Sequence, residues 1–216
     1  MSNTVAPSIL SADFGNLSNQ ISMLNDSKAD WIHIDVMDGH YVPNISFGMP
    51  IIDSIDTLST KPLDIHLMIS KPERYIKKFL KYNTKVLTVH LEASRHLHRT
   101  IQEIKSEGVM AGVAINPHTD VNQLNEIIND IDVVCLMSVN PGFSGQKFIK
   151  NSFNKVKKLK NIILSKKSNC KIQVDGGVNI KNAKELIKNG ADILVAGNFI
   201  FKSDDPQKNI NSLKEI

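Results

Sequence analysis

Eight short, β-rich apolar runs alternating with longer segments of helical period predict an α/β protein, a (β/α)8 TIM barrel built as one compact domain over residues 1–216. Two further observations support this. The linkers are short and carry Asn, Asp, Gly or Pro, and no Ser/Pro-rich connector or composition break divides the chain. In chain order, a strand at 5–10 leads to an amphipathic stretch at 17–24. Strands at 31–36 and 63–68 follow, then a helical stretch at 72–82. Strands at 86–91, 110–115, 133–137, 171–174 and 193–196 alternate with helical stretches at 100–107, 121–131, 148–164 and 181–188, and a last helix lies near 206–213. Strict alternation implies parallel pairing, and eight such units close into a barrel, usually of about 250 residues. A doubly wound open sheet is the competing architecture, but it usually has fewer strands and a Gly-rich turn after the first. Here PSILSAD occupies 7–13 instead.

A barrel places functional side chains at the C-terminal ends of its strands. Four polar residues meet that demand: His33 and Asp35 in WIHID, His66 in LDIHLM, and Asp175 in KIQVD. Side chains alternate along a strand, so His33 and Asp35 share one face while Ile32, Ile34 and Val36 share the other. By the same rule His66 and Met68 point inward together. Either histidine alone reads more simply as a hydrogen-bonded structural residue. Together, a polar His-x-Asp pair aimed into a barrel is costly without compensation, and a divalent metal shared with His66 and Asp175 supplies it. Two imidazoles and two carboxylates suit Zn²⁺, Fe²⁺, Mn²⁺ or Co²⁺ better than Mg²⁺. The carboxylates Asp35 and Asp175 also provide two acid/base groups, a combination that suggests stereochemical inversion at carbon.

Glycines follow strands seven and eight in VDGG, with Gly176 and Gly177, and in Ala196-Gly197-Asn198. A plain turn is one reading; close approach of backbone N–H groups to a phosphate is the other, favoured by the position. After strand six, Gly142, Phe143, Ser144 and Gly145 read either as a hinged lid or as a Pro-Gly turn. Met37, Met68 and Met137 near strand ends are core filler or a dry, polarizable wall. Ser8 hydrogen-bonds substrate or nearby backbone. His90 and Asp38 are assigned to barrel lining and an Asp-Gly turn, outside the site.

Composition narrows the class. At 41% hydrophobic content the chain can bury a sizeable core, and no stretch nears roughly 18 uninterrupted apolar residues, so no membrane span is expected. MSNTV runs almost directly into the first strand, which leaves no room for a secretion signal and makes a cytoplasmic location the expectation. Cys135 lies in an apolar run and reads as a small buried hydrophobe. The net charge is +4, yet aromatics are only 6% and lysines are scattered, so nucleic acid is not an expected partner. The densest basic stretch, 155–167, has Val156, Leu159, Ile162 and Ile163 at helical spacing; its lysines are expected on a solvated face.

The motifs PSILSAD at 7–13, HIDVMDGHYVPN at 33–44, HLM at 66–68, MSVNPGFSGQ at 137–146 and VDGG at 174–177 resemble the ribulose-phosphate 3-epimerase family. The resemblance runs from residue 5 to about 201. It implies a metal-dependent barrel of the pentose phosphate pathway that interconverts D-ribulose 5-phosphate and D-xylulose 5-phosphate, and it suggests a homo-oligomer. It makes His33, Asp35, His66 and Asp175 the ligands of one divalent metal ion per subunit, with Asp35 the proton acceptor and Asp175 the donor. Ser8, His66, Gly142, Phe143, Ser144, Gly145, Asp175, Gly176, Gly177, Gly197 and Asn198 would contact a sugar phosphate. Two positions depart from the family pattern: Asn198 stands where a serine is common, removing a hydroxyl that could reach phosphate, and Ser144 replaces a frequent lid glycine, stiffening the loop. A ketose-phosphate 3-epimerase acting on allulose 6-phosphate is the near alternative, and a non-catalytic sugar-phosphate-binding barrel the distant one. A related barrel decarboxylase or aldolase would be expected to put a lysine beside the strand-two aspartate, where Val36, Met37 and Asp38 stand.

Overall fold

The computed structural model describes residues 3–216. Eight parallel strands form one sheet: β1 (Thr4–Pro7), β2 (Ile32–Met37), β3 (Leu63–Met68), β4 (Thr84–His90), β5 (Met110–Ile115), β6 (Val133–Met137), β7 (Lys171–Asp175) and β8 (Ile193–Ala196). Sequential ladders run from β2 to β8 and on to β1, and an isolated parallel bridge between Ser8 and His33 joins β1 to β2. The barrel therefore closes at two residues singled out for the site.

Helices α1 (Leu17–Asp26), α2 (Met49–Leu58), α3 (Ile76–Phe79), α4 (Leu97–Ser106), α5 (Ser152–Ser165), α6 (Ile180–Lys188), α7 (Asn198–Phe201) and α8 (Pro206–Lys214) connect and cover the strands. The outward strand residues Ile32, Ile34, Ile65, Leu67, Val113 and Leu136 are fully buried with the inner helix faces, such as Ile52 and Ile55 of α2 and Ile101 and Ile104 of α4. This layer is the main core. Inside the barrel, a second cluster of Ala6, Trp31, Val86, Val133, Ile193 and Val195 fills the space below the mouth, with Val195 reaching up to line the cavity there.

Where local structure departs from the periodic pattern, the cause is legible. The expected strand 5–10 ends at Pro7, because Ser8 caps a 3-10 turn over Ile9–Ser11 by accepting from the Leu10 N–H. Residues 72–82 make only a 3-10 turn and the four-residue α3, following Lys71 in the left-handed region at φ 53°. The expected helix at 121–131 is a 3-10 turn, Val121–Leu124, followed by further turns. Asn122, Asn125, Ile127, Ile128 and Asn129 are weak helix formers, and the turns still bury Val121, Leu124, Ile128 and Ile131. Helix α2 lies outside the periodic stretches identified above, although Pro50 in its first turn is a start signal. The basic stretch forms α5 with most lysines exposed, but Lys155 is buried and donates to the carbonyls of Asn116 and Pro117 at 2.8 and 3.2 Å.

Truncating one of these outward strand residues leaves a cavity between sheet and helices. Ile65→Ala is expected to cost about 2–5 kcal/mol, read as a lower denaturant midpoint with an unchanged slope in equilibrium unfolding.

Candidate active site

The period-two alternation of β2 aims Trp31, His33, Asp35 and Met37 into the barrel, and that of β3 aims Asp64, His66 and Met68. Parallel register then sets His33 opposite Asp64 and Asp35 opposite His66. Asp175 ends β7 and reaches the same point from across the mouth. Asp35 Oδ1 lies 3.2 Å from His33 Nε2 and 3.3 Å from His66 Nδ1. Asp175 Oδ2 lies 3.8 and 3.6 Å from the same nitrogens. One donor atom from each of the four residues falls within 4.8 Å of the others. A tetrahedral ion with bonds of about 2.0–2.2 Å separates its ligand atoms by roughly 3.3–3.6 Å. The four measured edges bracket that spacing, so the donor set fits a divalent ion in both chemistry and size.

The charge balance of this cluster is tight. Burial alone would lower the His33 pKa, but the carboxylates of Asp35 and Asp64 outweigh it and hold it well above the ordinary value. For Asp35, burial opposes ionisation, yet its contacts with His33 and His66 bring its pKa far below the usual carboxylate range. His66 is raised despite burial, through hydrogen bonding to Asp175 and Asp35. Protons on the imidazoles thus play the part that a cation would take.

Two buried residues that pattern reading did not single out support the cluster. Asp64 Oδ2 accepts from His33 Nδ1 at 2.7 Å and from Gln173 Nε2 at 2.5 Å. Because Asp64 occupies Nδ1, the Nε2 of His33 is left to face the cluster, an arrangement common behind metal-ligating histidines. Asp64 lies two residues before His66, and Gln173 two before Asp175; period two could have found both. His90 lines the barrel as expected, but its Nε2 also lies 2.9 Å from His66 Nε2. Burial lowers the His90 pKa to about 4, leaving the ring neutral. Asp38 is the turn residue expected, accepting from the His40 and Tyr41 N–H groups.

Above the cluster opens a cavity of about 430 Å³. Ser8, Gly142, Phe143, Ser144, Gly145, Asp175, Gly176, Gly177, Gly197 and Asn198 all line it, together with Lys202. Met37, Met68 and Met137 form part of its wall. His66, expected also to touch substrate, is 0% exposed and is not among the residues that line the cavity. Ser8 donates to Asp35 Oδ2 at 2.6 Å, orienting that carboxylate from the closing seam of the barrel. The 140–146 loop is braced by Gln146 Nε2, which donates to the Asn140 and Phe143 carbonyls, and by Asn44 Nδ2, which donates to the Gly142 carbonyl at 2.7 Å. The Asn198 side chain is turned to this loop: a Cβ on Gly145, whose φ is +77°, would lie 2.6 Å from Asn198 Nδ2. Gly177 sits at φ +63°, and a Cβ there would lie 2.9 Å from the Phe148 backbone nitrogen.

Fold and site together define a (β/α)8 barrel with a metal-competent, carboxylate-bearing centre at its C-terminal mouth. Residues 4–201 match the Ribulose-phosphate 3 epimerase family, and the chain belongs to that family. Among its relatives is the ribulose-phosphate 3-epimerase of Bacillus subtilis (strain 168), 50% identical over 211 residues, which span 97% of each chain. The chloroplastic ribulose-5-phosphate-3-epimerase of Arabidopsis thaliana is 42% identical, covering 97% of this chain and 75% of that one. A solved structure of the tryptophan synthase alpha-subunit from Pyrococcus furiosus superposes with a TM-score of 0.74 over 100% of both chains; at 17% identity it shares the fold. No described helix is long and apolar enough to cross a membrane.

The raised pKa of His33 has a measurable consequence. In the metal-free protein its proton contributes stability most fully below about pH 6.5, the unfolded value, and that contribution is lost as pH rises through the higher folded value. A metal ligand must shed this proton, so zinc uptake at pH 7 is expected to release protons and to tighten with rising pH. Calorimetric titrations in buffers of differing ionisation heat read the proton count.

Proposed function

We propose that this chain is a metal-dependent epimerase that interconverts D-ribulose 5-phosphate and D-xylulose 5-phosphate, a reaction of the pentose phosphate pathway, by inverting C3. The observation that carries this reading is the placement of two carboxylates, Asp35 on β2 and Asp175 on β7, around one pair of imidazoles at the cavity floor. Inversion needs a base on one side of the carbon and an acid on the other, since a single group tends to return the proton to the face it left. Asp35, held ionised by the imidazoles and oriented by Ser8, takes the C3 proton. Asp175, which lines the cavity, delivers a proton to the opposite face, and the roles exchange in the reverse direction.

His33 Nε2, His66 Nδ1 and the carboxylates of Asp35 and Asp175 would hold one divalent ion, with Zn²⁺, Fe²⁺, Mn²⁺ and Co²⁺ all matching the donor set. When bound, such an ion supplies Lewis acidity that offsets the negative charge developing on the sugar oxygens as C3 loses its proton. The methionine wall keeps water from that carbon, and the sulfur atoms offer no competing acid or strong donor. At the outer end of the cavity, the backbone around Gly177 and Gly197 and the ammonium of Lys202 suit a phosphate. The 140–146 loop, with Phe143 52% exposed at its tip, is positioned to cover the sugar.

Each proton transfer is typically worth about 10²- to 10⁴-fold. Asp175→Asn is therefore expected to lose at least about a hundredfold in kcat while remaining folded, in a coupled assay with ribulose 5-phosphate. Turnover near that of the unaltered protein would overturn the assignment. In heavy water the product should carry deuterium at C3, and chelation should remove activity that readded Zn²⁺ or Co²⁺ restores.

A further inference from the structure

We propose that Glu92 is a positioning residue that acts through His90 to set the tautomer of His66, and thereby the strength with which the cluster holds a metal. This inference rests on the metal-binding reading above and adds residues that reading does not use.

His66 turns Nδ1 toward Asp35 and Asp175, and its Nε2 lies 2.9 Å from His90 Nε2. Two imidazole nitrogens at that distance share one proton, which belongs to one ring or the other. If His90 carries it, neutral His66 must place its own proton on Nδ1, where it blocks the metal position. If His66 carries it on Nε2, Nδ1 can give up its own proton and present a lone pair to an ion. Glu92 decides between these. Its Oε2 lies 3.3 Å from His90 Nδ1, and an ionised carboxylate only accepts, so the His90 proton belongs on Nδ1. His90 Nε2 is then the acceptor, and the proton in the gap is assigned to His66.

The surroundings of Glu92 keep it ionised and fix its orientation through hydrogen bonds to both carboxylate oxygens. Oε1 accepts from the Asn116 N–H at 2.8 Å and from the Thr119 hydroxyl, and the Tyr41 hydroxyl donates to Oε2 at 3.4 Å. Burial raises the Glu92 pKa, but the hydrogen bonds from His90, Thr119 and the Asn116 N–H outweigh it and bring the value down to about 2. Buried Lys155 ties α5 to the same loop through the Asn116 and Pro117 carbonyls. The His90 ring packs at a tilt against Tyr41, with centroids 4.8 Å apart, and meets the His66 ring edge to edge, with centroids 4.9 Å apart and planes 24° from parallel. Asp64 does for His33 directly what Glu92 does for His66 through one intervening ring. The site thus has two carboxylate-backed histidines, one with a short arm and one with a long arm.

Glu92→Gln preserves size but offers an amide that no longer demands a proton on His90 Nδ1. The test is zinc affinity by chelator competition in the unaltered protein and in Glu92→Gln, with nitrogen-15 histidine spectra of the metal-free unaltered protein at a pH above the raised pKa of His66, where no bound ion fixes its tautomer. The expected results are a Kd about 10- to 100-fold weaker in the variant, and spectra that place the His66 proton on Nε2 and the His90 proton on Nδ1. Equal affinities, or a His90 proton on Nε2, overturn the relay while leaving the metal reading intact. Failure of the unaltered protein to bind zinc overturns both. If Glu92→Gln does not fold, the histidine spectra alone decide the proton positions.

Discussion

Two carboxylates inside a barrel repel one another and lose their hydration, and the structure is organised around compensating them. Asp35 and Asp175 are brought to one point by β2 and β7, and the imidazoles of His33 and His66 stand against both. Removing charge from water costs several kcal/mol per ion unless each is paired and hydrogen-bonded. The cluster meets that condition with protons on the histidines, or with a divalent cation in their place. Exchangeability of proton and metal follows from the same compensation.

That requirement propagates through the barrel. His33 is held by Asp64, which is held in turn by Gln173 on β7, so the middle layer of the interior is polar where barrels are usually filled with branched apolar residues. Thr88 belongs to the same layer, and Gly112 beside it admits its hydroxyl; a Cβ at Gly112 would collide with Thr88 Oγ1. On the other side, His66 leans on His90 and Glu92. The apolar work is displaced to two places: the N-terminal plug around Trp31 and Ile193, and the layer between sheet and helices. Stability and chemistry are therefore separated along each strand by alternation, with outward residues packing and inward residues reacting.

Much of this was readable from one chain. Period two in WIHIDV and LDIHLM assigned His33, Asp35 and His66 to the interior, and strand ends followed by glycines located the mouth of the cavity. Asp64 and Gln173 obey the same period, but an isolated polar residue at a strand start carries no chemical signal until a partner is known. Their partners are 31 and 109 residues away. Glu92 lies on a 3-10 turn after β4, where no periodicity applies, and its role depends on Tyr41, Asn116 and Thr119 from other loops. At 72–82 and 121–131 apolar spacing of helical period survives in 3-10 turns that bury the same residues, so periodicity alone does not separate the two.

The sequence by itself determined the eight-unit barrel, the inward-facing residues of each strand, and the donor types at the mouth, since these are local properties of alternation and residue chemistry. Tertiary structure alone decided which inward residues meet. Parallel register set Asp64 beside His33, the curvature of the sheet brought Asp175 to Asp35, and the close approach of two rings made His90 and Glu92 partners of His66. Those contacts depend on strand stagger and barrel closure, which are collective outcomes of packing eight strands and are not written at any single position.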